Sequence, residues 1–144
     1  MNYSHLLILS LGAIHFCVSV ASTEAKTWLE YSGSASNGGI SRQAGSDQYL
    51  SMVLDRQGAP VIVWRAVYDS WGAIYVKRWN GSAWEEVGTD SASGYGIGAG
   101  SRPAIAVDSQ NRYSVTWFDY DGYLHFKRWD GTDWQILGGS EILA

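Results

Sequence analysis

Cysteine is almost missing from this chain: Cys17 is the single one among 144 residues, and it lies in an apolar N-terminal run. Histidine is nearly as scarce at three, and two of those, His5 and His15, lie within the first twenty residues. Downstream, His125 stands alone. No zinc cluster and no Cys-His nucleophile pair can be built there, and a Ser-His-Asp triad would have to use His125. Positive charge is also in short supply. Ten Lys and Arg against fourteen Asp and Glu give a net charge of −4. That balance argues against a protein that tracks nucleic-acid phosphates.

A long hydrophobic run is lacking too. Leu6 to Val20 is apolar apart from Ser10, Gly12, His15 and Ser19. This is about fifteen residues, short of the ~20 that a spanning helix needs. Small residues follow, and Ser19 and Ala21 stand at the minus-three and minus-one positions of one cleavage site. Residues 1–22 therefore read as a secretory signal peptide, although Met1 to His5 carries no Lys or Arg. Ile14-His15-Phe16 before Cys17 is too bulky for a lipoprotein signal. Cleavage would place the protein outside the cell, secreted or at the cell surface, with no cysteine left. A disulfide-free secreted chain must be stabilised by burial or by oligomerisation.

Aromatics and glycine are abundant, with 8 Trp, 9 Tyr and 17 Gly. This load excludes disorder and favours many short strands joined by tight turns. Val76-Lys77-Arg78-Trp79-Asn80-Gly81-Ser82-Ala83-Trp84 recurs 50 residues later as Phe126-Lys127-Arg128-Trp129-Asp130-Gly131-Thr132-Asp133-Trp134. Leu54-Asp55 and Trp64 recur as Val107-Asp108 and Trp117 at a shift of 53. Ser34-Ala35-Ser36 with Gly39-Ile40 likewise resembles Ser91-Ala92-Ser93 with Gly96-Ile97. A period near fifty residues with strand-like content predicts β-propeller blades.

The predicted strands are Leu50 to Leu54, Val61 to Ala66, Ala73 to Trp79 and Trp84 to Val87. The second unit has Ala104 to Val107, Ser114 to Phe118, Tyr123 to Trp129 and Trp134 to Leu137. Asn80-Gly81 and Asp130-Gly131 predict type I′ hairpin turns. The fold class is all-β: two four-stranded antiparallel blades, one extra N-terminal strand from Trp28 to Tyr31, and the signal peptide in front. The divisions are 1–22 (signal), 23–48 (leftover outer strand and loop), 49–88 (first blade), 89–138 (second blade with its leading loop) and 139–144 (tail).

In the third strand of each unit, Ile74 and Val76, or Leu124 and Phe126, face one way. Tyr75, Lys77 and Trp79, or His125, Lys127 and Trp129, face the other. Both faces must then be covered, as blades cover one another. The repeated Lys-Arg-Trp triplet predicts packing, with stems laid across Trp rings and heads in solvent. His125 replaces Tyr75 in this scheme and reads as a packing residue.

The pattern Trp84, Gly88, Ser91-Ala92-Ser93, Gly96-Ile97, Ser101-Arg102-Pro103-Ala104-Ile105-Ala106-Val107-Asp108, Trp117, Lys127-Arg128-Trp129-Asp130-Gly131, Trp134 resembles the sialidase-like blade repeats of secreted bacterial proteins. More distantly it is similar to the blades of propeller lectins. The first likeness covers nearly all of residues 28–138 and is specific to the repeat, not to an activity; the second implies sugar binding in clefts between blades. The first unit has Asp47-Gln48-Tyr49 where the repeat has Ser-x-x-Pro, so that loop reads as degenerate. No Asp-box of the Ser-x-Asp-x-Gly-x-Thr-Trp kind occurs, which argues against catalysis inherited from sialidases.

Little catalytic chemistry is left. Glu85-Glu86 would face opposite sides of a strand and so make a poor hydrolytic dyad. Asp119-Tyr120-Asp121-Gly122 has its glycine at the wrong position for a calcium loop and predicts a hairpin turn. Asn80-Gly81-Ser82 is an N-glycosylation sequon, meaningful in a eukaryotic host. No cofactor and no metal are implied. The candidate ligand residues are Tyr68, Asp69 and Trp71 in one hairpin and Asp119, Tyr120 and Asp121 in the other. They differ between the units, so shared packing does not explain them. Aromatic rings beside carboxylates suit a sugar: the ring meets its C–H face and the acid accepts from its hydroxyls. The expected function is an extracellular non-catalytic carbohydrate-binding module. Its alternatives are a sialidase-like hydrolase fragment and a structural assembly repeat. Propellers close with about four to eight blades. Two repeats alone therefore predict either a piece of a longer array or a homo-oligomer that completes a ring.

Overall fold

The computed structural model describes residues 29–42, 47–68 and 71–137. The expected signal peptide, Cys17, Trp28 and the tail from 138 onward lie outside them. Eight strands are present and, among the described residues, no helix. They are β1 (Gln48–Leu54), β2 (Pro60–Tyr68), β3 (Trp71–Trp79), β4 (Trp84–Glu86), β5 (Ser101–Val107), β6 (Tyr113–Phe118), β7 (Leu124–Trp129) and β8 (Trp134–Gln135). Two four-stranded sheets result, ordered β1-β2-β3-β4 and β5-β6-β7-β8, with every neighbouring pair antiparallel.

Aspartates shape the connections. Asp55 Oδ1 accepts from the backbone N–H groups of Gln57 and Ala59 at 2.9 and 2.8 Å. Asp108 does the same for Gln110 and Arg112, both at 2.9 Å. Asp119 repeats it for Asp121 and Tyr123 at 3.0 and 2.8 Å. An aspartate that captures its own downstream amides fixes a tight turn. The stretch from Asp119 to Gly122 is thus a hairpin turn.

The Asn-Gly and Asp-Gly turns differ from the predicted type I′ geometry. Asn80 and Asp130 sit one position before the bend, and only Gly81 and Gly131 take positive φ, at 100° and 107°. The Asn80 N–H donates to the Ala83 carbonyl at 3.1 Å, while Asn80 Oδ1 accepts from the N–H groups of Ser82 and Ala83. The side-chain cap outcompetes a backbone placement of Asn inside the bend.

Strand starts also differ. β1 and β5 begin at Gln48 and Ser101, ahead of the expected Leu50 and Ala104, and each carries a register shift before its regular ladder. Tyr49 and Arg102 take matching φ values of 52° and 53° there. The loop that reads as degenerate in sequence has the same backbone bulge in both units. The extra N-terminal segment has no ladder partner over its described residues 29–31. Tyr31 instead packs on Trp79, and its carbonyl accepts from the Trp84 indole at 3.1 Å. Val87 holds the same place on the Trp134 indole at 2.8 Å.

The main core lies between the sheets. Val61, Val63, Ile74 and Val76 of the first sheet meet Tyr113, Val115 and Trp117 of the second, with Ile97 from the connection. A second cluster on the other face of the first sheet contains Trp64, Ala66, Ala73 and Tyr75. Both faces of β3 are covered, as its alternation requires. Burial of each such aliphatic side chain stabilises by about 1.5–3 kcal/mol.

The connection from 87 to 100 runs along the free edge of β3. The Ile74 N–H donates to Gly98 at 2.8 Å, the Ile97 N–H to Ile74 at 2.9 Å and the Val76 N–H to Ser91 at 2.8 Å. Gly96 makes this approach possible. It has φ 60°, and a Cβ on it would stand 2.2 Å from the Ile74 carbonyl oxygen. The lysines of the repeated triplet each hold a loop, Lys127 this connection and Lys77 the N-terminal segment at Ile40. Lys77 Nζ donates to the Ile40 carbonyl at 3.0 Å and Lys127 Nζ to the Ile97 carbonyl at 2.8 Å. Their heads are bound to loop carbonyls, where solvent was expected. Desolvation there lowers the Lys77 pKa.

Candidate functional site

The two variable hairpins converge. β2 and β3 extend further than expected, and Tyr68 pairs with Trp71 at their ends. Asp69 falls outside the described residues, so of this hairpin's candidates only the Trp71 side chain can be placed. It is 61% exposed. From the other sheet, Tyr120 (47% exposed) meets it edge-on, with ring centroids 5.3 Å apart and planes at 85°. Edge-to-face is the favoured arrangement for such a pair.

Tyr120 is held by more than its ring. Its hydroxyl accepts from the Gly72 N–H and donates to the Gly72 carbonyl. Gly72 is needed for this approach, since a Cβ there would lie 2.8 Å from the Tyr120 oxygen and 2.2 Å from Arg65 Nε.

Asp119 and Asp121 play different parts. Asp119 Oδ1 takes the two turn amides, and Oδ2 meets His125 Nε2 at 2.8 Å. Both oxygens are engaged, and the His125 contact, with the amides behind it, holds the carboxyl below its ordinary range. Asp121 is exposed at the turn. His125 also stacks on Trp117, centroids 5.4 Å apart and planes at 16°, where Tyr75 meets Trp64 edge-on in the first sheet. The substitution of one ring for another in the packing scheme is what the repeat predicts.

Glu85 is occupied as well. It accepts from Asn80 Nδ2 at 2.7 Å and pairs with Arg78 at 2.8 Å, and these contacts lower its pKa.

A second concavity lies where the first sheet departs from the repeat. A cleft of about 240 Å³ is lined by Ile40, Asp47, Gln48, Tyr49, Leu50 and Trp64, among others. Trp117 donates its indole N–H to the Ala99 carbonyl at 3.1 Å, whereas the buried N–H of Trp64 has no partner among the described residues. Two sequence differences account for this. Gly98, whose Cβ would stand 2.4 Å from the Trp117 ring, corresponds to Ser41. Gln48 also follows Ile40 by eight positions where Ser101 follows Ile97 by four. A longer loop with a side chain at that point cannot close on Trp64 as its counterpart closes on Trp117. That spacing was the available signal for the cleft.

No family model matches the chain, and no curated protein matches it. Among solved structures it is similar to a fucose lectin from Kordia zhangzhouensis in complex with methyl-fucoside. That likeness has a TM-score of 0.41 at 20% identity and covers 68% of this chain and 67% of the lectin chain. Among the described residues no group of three or more His, Cys, Asp or Glu could hold a metal ion.

Proposed function

We propose that this chain is an extracellular, non-catalytic module that binds carbohydrate. The supporting observation is the exposed Trp71–Tyr120 pair, assembled from two sheets and oriented by the Tyr120–Gly72 hydrogen bonds. A fixed aromatic surface suits the C–H face of a pyranose and costs little side-chain entropy on binding. Asp121 at the same turn supplies an exposed acceptor for hydroxyls. Asp119 shapes the turn beneath them. The extracellular placement rests on the apolar segment at 6–20.

A glycan array read with the wild-type chain and with Trp71→Ala tests this reading. The expected result is binding to a restricted set of glycans that falls at least tenfold in the variant, about 1.4 kcal/mol. Unchanged binding by Trp71→Ala would remove the site. Turnover of a fluorogenic sialoside would replace the module with a hydrolase.

A further inference from the structure

We propose that copies of this chain associate head to tail, the outer face of the first sheet docking on the outer face of the second sheet of another copy. The interface between the two sheets within the chain supplies the template. Ile105 and Val107 of β5 pack there against the first sheet, whose Ile74 and Val76 are 0% exposed. The corresponding positions at the two ends of the chain are more open. Met52 and Leu54, which match Ile105 and Val107, are 55% and 56% exposed. Leu124 and Phe126, which match Ile74 and Val76, are only half-buried.

Backbone groups repeat the pattern. β6 and β7 pair in the register of β2 and β3, with Phe118 opposite Leu124 as Arg65 is opposite Ile74. The outward edge at Leu124 and Phe126 therefore presents the same donors and acceptors that Ile74 and Val76 give to the 87–100 connection. Among the described residues nothing meets them. The segment from Ser34 to Ile40 resembles Ser91 to Ile97 of that connection in sequence and is already anchored on its own sheet by Lys77, as Lys127 anchors Ile97. Its other side is placed to meet a β7 edge.

Side-chain volumes fit a second copy. Met52 and Leu54 are longer than the Ile105 and Val107 they replace. Across the proposed interface, Val53, Val61 and Val63 are replaced by the smaller or isosteric Ala106, Ser114 and Thr116. Larger residues on one face thus meet smaller ones on the other, which conserves packed volume. The Ser114 hydroxyl is satisfied by Arg128 Nε at 3.1 Å. Because the two faces differ, the contact is heterologous and generates a ring if the rotation closes.

Light scattering on the purified secreted chain tests the proposal. The expected mass is that of two to four chains, giving about four to eight blades. Met52→Glu with Leu54→Glu spoils one face, and Phe126→Glu spoils the other. Each variant is expected to run as a monomer with wild-type near-UV circular dichroism. Mixing the two restores one intact contact, so a heterodimer is expected. A monomeric wild type, an oligomer indifferent to both changes, or variants that never pair when mixed would each overturn the proposal.

Discussion

The Tyr120 hydroxyl rests on the backbone of Gly72, joining the hairpin tip of one sheet to the strand start of the other. Tyr120→Phe keeps the ring but removes both hydrogen bonds. Each such bond contributes about 0.5–1.5 kcal/mol. A stability loss of roughly 1–3 kcal/mol in urea melts is therefore expected. The ring edge against Trp71 survives, so glycan affinity should fall less than in Trp71→Ala. Equal losses in the two variants would mean that the hydroxyl contributes to ligand binding as much as the Trp71 ring.

Gly96 gives a sharper stability test. An added Cβ meets the Ile74 carbonyl oxygen, a backbone atom that cannot swing aside, and φ there is 60°. Left-handed strain of about 1–2 kcal/mol adds to overpacking of about 1–3 kcal/mol. Gly96→Ala should thus cost roughly 2–5 kcal/mol by these terms. Gly58, at φ 77° with nothing within 4 Å, is the control. Its alanine variant should cost only the strain. Equal losses would show that the connection does not press on β3.

The two sheets should respond unequally to truncation. Ile74 is fully buried, and Ile74→Ala removes packed volume from the core between the sheets. The expected loss is about 2–5 kcal/mol. Leu124, its counterpart, is half-buried. In a chain kept monomeric by Met52→Glu and Leu54→Glu, Leu124→Ala should cost well under half as much. In the associated wild type its cost should rise, because the second copy completes the burial. Matching costs in both backgrounds would contradict that dependence.

The strands and their meander order were legible in the sequence because repetition and β-alternation both survive without tertiary information. The Trp79-to-Trp84 hairpin follows from its Asn-Gly turn signal and the paired faces of β3 from side-chain period. What the sequence hid depends on atoms meeting across distance. Lys77 and Lys127 read as solvated heads, since nothing in the triplet names Ile40 and Ile97 as acceptors. Trp71 and Tyr120 stood out as unshared aromatics in separate hairpins, but their contact needs the rotation between sheets. The Tyr49 bulge was obscured because its residue types differ from those at Arg102, although a shared left-handed φ makes the backbones match. The Trp64 cleft required a spacing difference to be read together with the missing glycine at Ser41.

Asp119 carries the pH test. Its carboxyl is held below the ordinary aspartate value of 3.8, first by His125 and then by the amides of Tyr123 and Asp121. A depressed pKa means that the folded state prefers the ionised form. The contribution is fully present above the ordinary value and is lost as pH falls through the depressed one. Asp119→Asn keeps an acceptor for the turn amides but loses the charge facing His125. The melting-temperature gap between wild type and Asp119→Asn should be constant from about pH 7 to about pH 5 on the carboxylate's account. It should narrow below the ordinary value and go on narrowing as pH falls through the depressed one. A gap that stays level into that acid range would show that the variant is destabilised through turn geometry, with no part played by the ionised carboxylate.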